Sequence, residues 1–250
     1  MLQHLKNALT AEDESWEEVE IIPFSTILPP LKNPTAFNLI YGSTTFMLNA
    51  YQHPDYQTGV FYEPSLFQMQ NYVNQWKHHV LNHQGKLLKF GEINRVKSSP
   101  SQKWFVRPNH DSKEFGGRLL TYEELQEWSK RIIPLQISHL HKDTEIWMAK
   151  PQVIDKEWRL FVVEDKVISA CRYQEKGALN INRLDVPKDL LNFVNARIQE
   201  YHLYPVYVLD VAQVQGHYKI IECNCFNGTG FYDHNIERIV SAINGFIRKG

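Results

Sequence analysis

Two strand-like segments near the C-terminus define the fold, namely VYVLDVAQV at 206–214 and HYKIIECNC at 217–225. Both contain the β-branched and aromatic residues that favour strands, and only Gln215-Gly216 separates them. A glycine-containing pair between two such segments is typical of a tight hairpin turn. We therefore predict a long antiparallel hairpin, which places the residues of the two segments side by side.

Three oxygen-bearing side chains converge in this hairpin. Asp210 is the lone charge of the first segment, and Glu222 and Asn224 share one face of the second because strand side chains alternate. Carboxylates lying side by side are costly without a counter-charge, and hard oxygen ligands of this kind suit Mg²⁺. The sequence thus predicts a metal-binding patch, and an exposed sheet face with ordinary polar residues is the alternative interpretation.

Four basic residues accompany the predicted strands. Arg107 ends one strand, Lys113 lies in the polar loop after it, and Arg159 and Arg172 lie on the two strands of another predicted hairpin. Each alone is typical of a solvated surface charge. Together, opposite an acidic metal patch, they indicate binding of a triphosphate.

The composition limits the classes of function. Of the 250 residues, 43% are hydrophobic and 22% are charged, which excludes general disorder. The net charge of -1 gives no overall basic footprint for nucleic acid. No apolar run is long enough to cross a bilayer, the first residues lack a signal-peptide pattern, and the three cysteines form no disulfide framework. We expect a cytoplasmic protein that does not bind membranes.

The rest of the chain suggests three segments. Short strands at 38–41 and 59–62 precede a helix predicted over 65–85, which Ser65 and Gln68 would open as a capping box. This alternation favours a small α/β domain over 1–95. A polar, turn-rich stretch at 96–102 then begins a second segment that extends to 153, and a third covers 154–250.

The order of several motifs resembles that of the ATP-grasp superfamily. The stretches that carry the resemblance are Phe105–Gly117, Lys150–Phe161, Asp210 and Ile221–Asn224. Within the superfamily, the chain is similar to the clade of phage and bacterial genomes that is named for two arginines and a lysine. The Glu-x-Asn ending with an upstream aspartate is the most specific motif, and the resemblance covers about Leu39 to the C-terminus.

The resemblance implies a mixed α+β and α/β chain with an ATP-grasp fold. In that fold two antiparallel-sheet subdomains, here 96–153 and 154–250, sandwich ATP, and a small α/β pre-ATP-grasp domain precedes them. The resemblance also assigns roles to residues. Those for nucleotide binding are Arg107 and Lys113 on the phosphates, Lys150, Gln152 and Val153 beside adenine, and Glu157 on the ribose. Asp210, Glu222 and Asn224 would bind Mg²⁺, and Arg159 and Arg172 would face the γ-phosphate or the acyl-phosphate formed from it.

The chain departs from the family pattern in three places. Val208 stands where amide-forming members often have an arginine, the loop at 109–117 is less glycine-rich than in many members, and the chain opens on a helix rather than a strand. The first two departures bear on the acceptor chemistry more than on the ATP site.

The activity implied by the resemblance is an ATP- and Mg²⁺-dependent ligase. It would form an acyl-phosphate from a carboxylate and join it to an amine, a thiol or a similar nucleophile, with the protein mainly positioning groups and offsetting charge. A small-molecule kinase and a non-catalytic ATP-binding regulatory module are the alternatives. The sequence leaves open the oligomeric state and the acceptor, which is a small molecule, a peptide or an RNA-borne group.

Overall fold

Two separate antiparallel sheets organise the chain. Its computed structural model describes residues 2–22, 25–136 and 140–249. The chain divides into two units, of which the first consists of Met1–Glu63 with Ile154–Gly250 and the second of Pro64–Val153. Helices accompany both sheets, so the fold is α+β. Within the described ranges, no helix has the length and apolar character needed to span a membrane.

The helices and strands are numbered in chain order. The helices are α1 (Leu2–Ala11), α2 (Thr44–Tyr51), α3 (Pro54–Gln57), α4 (Met69–Trp76), α5 (Tyr122–Ile132), α6 (Lys188–Glu200) and α7 (Ile236–Ile247). The strands are β1 (Lys86–Lys89), β2 (Lys103–Pro108), β3 (Arg118–Thr121), β4 (Glu145–Ala149), β5 (Lys156–Val163), β6 (Lys166–Glu175), β7 (Ala178–Asn182), β8 (Val206–Val214) and β9 (His217–Cys225).

The sheet of the first unit has five strands in the order β7-β6-β5-β8-β9, all antiparallel. One face carries Phe161 and Val208, which join a buried apolar cluster with residues of α1 and α7. On the other face, Trp158 contacts Tyr218, which in turn contacts Phe193 of α6. Both faces of the sheet are therefore covered over part of their length, which fixes the strand register.

Each tight hairpin of this sheet turns through a residue pair with positive φ. The pairs are Glu164-Asp165, Lys176-Gly177 and Gln215-Gly216, with φ between 47° and 80°. Turns with two left-handed residues match the right-handed twist of the flanking strands, so they suit two-residue hairpin loops. The hairpin predicted around Gln215-Gly216 is confirmed, with β8 and β9 paired along their length.

The sheet of the second unit has four strands in the order β1-β4-β2-β3. Helix α5 packs beside it and begins at a capping box, in which Thr121 accepts from the Glu124 N–H and the Glu124 carboxylate accepts from the Thr121 N–H. Its buried Leu125 and Trp128 join strand residues in one apolar cluster. The unit thus has a hydrophobic core of its own.

The strands predicted at 38–41 and 59–62 do not form. In the described residues before Pro64 the structure contains helices and loops and no strand. A backbone hydrogen bond joins Ile40 N–H to the Gly59 carbonyl at 3.0 Å, and further bonds in this region come from the side chain of Asn227. These apolar residues are buried by packing rather than by a sheet ladder, which corrects the α/β layer predicted for this part of the chain.

The long helix predicted over 65–85 is shorter than expected. Helix α4 begins after Gln68, which makes no capping bond through its side chain, and a short 3₁₀ helix at Lys77–His79 follows it. Lys77 has a φ of 47°, so the α-helical path ends there. The capping box predicted at Ser65 is therefore wrong, because the first helical turn starts further along the chain.

The boundary predicted at residue 95 falls inside the second unit. Strand β1 precedes it and pairs with β4, from Lys86 opposite Met148 to Lys89 opposite Glu145. Phe90 and Ile93 also belong to the buried cluster of this unit. Hydrogen bonding and burial thus join 64–95 to the segment predicted as 96–153, whereas the boundary predicted at 153/154 coincides with a boundary of the units.

Candidate active site

The strand register brings the three predicted metal ligands together on the first unit's sheet. Asp210 of β8 lies directly opposite Glu222 of β9, and Val208 lies opposite Asn224. The Asn224 Nδ2 donates to Asp210 Oδ2 at 3.3 Å. Asp210 and Asn224 are buried, with 1% and 0% of their surface exposed. Two carboxylates and an amide therefore share one face, and two of these groups are withdrawn from solvent.

Arg159 of β5 neutralises part of this negative charge. It lies opposite Asp210 in the register and donates Nε to Oδ1 at 2.9 Å and Nη2 to Oδ2 at 2.7 Å. Its Nη1 donates to the carbonyl of Gly230 at 3.1 Å. Burial alone would lower the pKa of Arg159, but the charge and hydrogen bonds of Asp210 outweigh it and raise that pKa. A paired guanidinium thus lies beside the carboxylates.

Glu157 contributes a third carboxylate to the same face. It lies two residues before Arg159 on β5, and its Oε2 accepts a hydrogen bond from the Tyr173 hydroxyl at 2.6 Å. Burial raises the pKa of Glu157, and the charges of Asp210 and Glu222 raise it further, while the Tyr173 bond lowers it. Glu157 therefore belongs electrostatically to the group of Asp210 and Glu222.

The structure does not bring Arg172 to this face. Its neighbour Tyr173 contacts Glu157, and adjacent strand residues point to opposite faces, so Arg172 shares the face of its register partner Trp158. There its Nη1 donates to Asp185 Oδ2 at 2.6 Å and to Glu175 Oε2 at 3.0 Å. The predicted contact with the γ-phosphate has no support in this position, because the guanidinium serves an ion-pair cluster instead.

The remaining predicted residues lie in the second unit. Arg107 is buried at the end of β2, and its Nε donates to the Pro108 carbonyl at 3.3 Å. Lys113 lies in the loop between β2 and β3 with a φ of 53°, and its Nζ is 3.7 Å from Asp111 Oδ1. The three residues predicted beside adenine are exposed in the segment after β4, namely Lys150, Gln152 and Val153.

The ligand set on β8 and β9 fits a hard metal ion. Asn224 Oδ1 is buried and accepts no hydrogen bond from any described group, so a carbonyl oxygen is left available beside two carboxylates. Mg²⁺ binds through one or two carboxylates and completes its shell with water and phosphate oxygens. The described residues contain no group of three or more His, Cys, Asp or Glu side chains placed to hold a metal, so binding here would depend on the amide and on the nucleotide.

Sequence reasoning missed two aromatic residues of this face, Tyr173 and Tyr232. Their rings are parallel, with centroids 4.9 Å apart, and both lie near the guanidinium of Arg159. The alternation of β6 relative to β5 would have indicated Tyr173 only if the register were known. Tyr232 lies in the irregular segment after Gly230, where the sequence carries no periodic signal.

The comparison with protein families identifies the class. The model that matches describes an ATP-grasp domain, family 3 of the clade named for two arginines and a lysine, and it covers residues 52–243, well over half of the chain. The chain therefore belongs to this family, and its two antiparallel sheets with flanking helices are an ATP-grasp fold. The family suspected from the sequence is confirmed. No curated protein sequence matches the chain.

Solved structures share the fold at low sequence identity. D-cycloserine synthetase DcsG is similar with a TM-score of 0.63 and 11% identity, over 98% of this chain and 94% of that chain. The ATP-grasp ligase PsnB in complex with a minimal precursor has a TM-score of 0.50 and 12% identity, over 81% and 67%. D-alanine–D-alanine ligase from Bacillus anthracis has a TM-score of 0.50 and 10% identity, over 77% and 71%.

Proposed function

We propose that the protein is an ATP- and Mg²⁺-dependent ligase that activates a carboxylate as an acyl-phosphate and joins it to an amine or a similar nucleophile. The observation that carries the proposal is the group of Asp210, Glu222 and Asn224 on one face, with Arg159 beside it. Membership of the ATP-grasp family supports ATP as the phosphoryl donor. The proposal places the protein in the same broad class as the ligases whose fold it shares.

The residues of the face would act mainly by position and charge. Asp210, Glu222 and Asn224 would hold Mg²⁺, which when bound neutralises charge on the β- and γ-phosphates. Arg159 would offset the charge of the transferring phosphoryl group. The described face contains carboxylates, an amide, a guanidinium and phenols, and the reaction needs no nucleophile from the protein. Glu157 remains the candidate for the ribose, although its contacts place it near the carboxylates.

The proposed chemistry has two steps that balance. A carboxylate oxygen of the first substrate attacks the γ-phosphorus, and the bond to the bridging oxygen breaks, so ADP leaves. The amine of the second substrate then attacks the acyl carbon, inorganic phosphate leaves with the C–O electron pair, and the amine loses a proton. Burial of Asp210 and Asn224 keeps water from part of this face, which protects an acyl-phosphate from hydrolysis.

The second unit would supply further contacts to the nucleotide. We assign Arg107 and Lys113 to the phosphates and the exposed segment with Lys150, Gln152 and Val153 to adenine, as the family resemblance implies. The acceptor remains open among small molecules, peptides and RNA-borne groups. The structural relatives include a synthetase of D-cycloserine and a ligase with a precursor peptide, so both small molecules and peptides belong in a substrate screen.

The test is release of ADP and inorganic phosphate from Mg-ATP in the presence of pooled carboxylates and amines. We expect Glu222→Gln to lower this release by at least about a hundredfold without loss of folding, because the change removes a charge that the metal needs. Glu164→Gln is the matched control, since Glu164 lies in the β5–β6 turn and pairs with Lys249.

Three results would contradict the proposal. Unchanged release by Glu222→Gln would reject the metal assignment. A phosphorylated product without inorganic phosphate would instead identify a kinase, and stabilisation by Mg-ATP without turnover under any acceptor would identify a regulatory module.

A further inference from the structure

Two stacked tyrosines flank the guanidinium of Arg159. The Tyr173 and Tyr232 rings are parallel to within 1°, with centroids 4.9 Å apart. The Arg159 Cζ lies 5.0 Å from the centroid of Tyr232 and 5.6 Å from that of Tyr173. Both distances are within the range at which a guanidinium is attracted by the negative face of an aromatic ring. The rings therefore hold Arg159 independently of Asp210.

The backbone at Tyr232 is strained. Its φ of 46° is in the left-handed region, which costs an aromatic residue about 1 kcal/mol and which asparagine and glycine adopt more readily. Strain of this kind persists where the surrounding contacts determine it, and such residues cluster at functional sites. Here the contacts are those of the Tyr232 ring with Tyr173 and with Arg159.

The bound metal and Arg159 compete for one carboxylate. Both oxygens of Asp210 accept hydrogen bonds from Arg159. The same oxygens are the proposed ligands of Mg²⁺, and the positive charges of the metal and the guanidinium repel each other. Metal binding at Asp210 would thus weaken the pair that fixes Arg159, so the side chain needs a second means of support.

We propose that Tyr232 and Tyr173 are positioning residues that keep Arg159 in place when Asp210 binds the metal, so that its freed N–H groups face the γ-phosphate. The inference rests on the proposed function. The support that remains to Arg159 consists of the two rings and the Gly230 carbonyl, which accepts from Nη1. Loss of a ring would then affect ligands that carry a γ-phosphate and leave ADP binding unchanged.

The test compares Tyr232→Asn with Tyr232→Phe. Asparagine adopts the left-handed backbone but has no ring, whereas phenylalanine retains the ring and loses only the hydroxyl. The measurement is the calorimetric Kd for a non-hydrolysable ATP analogue and for ADP, both with Mg²⁺. We expect the ratio of the two constants to change by about five- to tenfold in Tyr232→Asn, through weaker analogue binding, and to stay unchanged in Tyr232→Phe.

A purely structural role for Tyr232 would weaken both ligands alike, so an unchanged ratio in Tyr232→Asn overturns the proposal. An equal loss in Tyr232→Phe also overturns it, because that variant keeps the ring. If Tyr232→Asn does not fold, the pair Tyr173→Leu and Tyr173→Phe decides on the same ratio. Failure of the proposed function has a different signature, since the wild-type protein would then bind neither nucleotide in a Mg²⁺-dependent way.

Discussion

A single buried amide, that of Asn227, joins three segments of the first unit. Its Nδ2 donates to the carbonyls of Ile40 and Gly59, and its Oδ1 accepts from the Phe61 N–H at 2.7 Å. Asn227 is fully buried, so no water replaces these bonds if the side chain is removed. At the scale of a residue, this amide supplies the hydrogen bonds that a strand ladder would supply between 38–41 and 59–62.

We expect Asn227→Ala to lower the free energy of unfolding by about 2–4 kcal/mol, because it leaves buried backbone groups without partners. The measurement is urea denaturation followed by circular dichroism. Asn33→Ala is the control, since Asn33 is exposed and should change stability by less than about 0.5 kcal/mol. An equally small effect in Asn227→Ala would show that the region tolerates these unpaired groups.

The sequence predicted some residues of the site better than others. Asp210, Glu222 and Asn224 were predictable as a group because their relation depends only on strand alternation and one two-residue turn. The face of Arg172 depends on the register between β5 and β6, which shifts between Glu157 and Trp158. A bulge of this kind has no distinct sequence signal, so the position of Arg172 could not be derived.

At the scale of elements, the hairpin turns set the geometry of the site. The turn at Gln215-Gly216 fixes which residue of β9 faces Asp210, and both of its residues have positive φ, 50° and 80°. A Cβ at Gly216 would meet no atom within 4 Å, so the position requires glycine for backbone conformation and not for space. The register of the site thus depends on a local conformational preference.

We expect Gly216→Val to lower the free energy of unfolding by about 1–2 kcal/mol, because a β-branched residue disfavours positive φ. Gln215→Asn should raise it by up to about 0.5 kcal/mol, since asparagine tolerates this conformation. Thermal and urea denaturation measure both effects. Gly245→Val in helix α7 serves as the control, because a Cβ there also meets open space and the φ is not positive. A similar loss of stability in that control would exclude the backbone explanation.

At the scale of the whole molecule, the chain crosses between its two units twice. The second unit is one continuous piece, Pro64–Val153, inserted between the two parts of the first. It contains a complete four-stranded sheet and its own buried cluster. This arrangement differs from the three consecutive segments predicted from the sequence.

We expect the fragment 64–153 to fold alone, because its sheet and core are complete, whereas the fragment 96–153 should not. The shorter fragment lacks β1, which pairs with β4, as well as the buried Phe90 and Ile93. Dispersed amide signals in NMR spectra and a cooperative thermal transition would demonstrate folding. A folded 96–153 would support the boundary predicted at residue 95 instead.

Local patterns in the amino-acid sequence were enough to predict the β8–β9 hairpin, the convergence of Asp210 with Glu222 and Asn224, the capping box of α5 and membership of the ATP-grasp family. These features depend on alternation, turn residues, spacing and the order of motifs. The folded chain was needed to establish the face of Arg172, the stacking of Tyr173 on Tyr232, the three bonds of Asn227 and the grouping of β1 with the second unit. Each of these depends on contacts between residues distant in the chain, and the free energy of such contacts is set by burial and register, which no local pattern specifies.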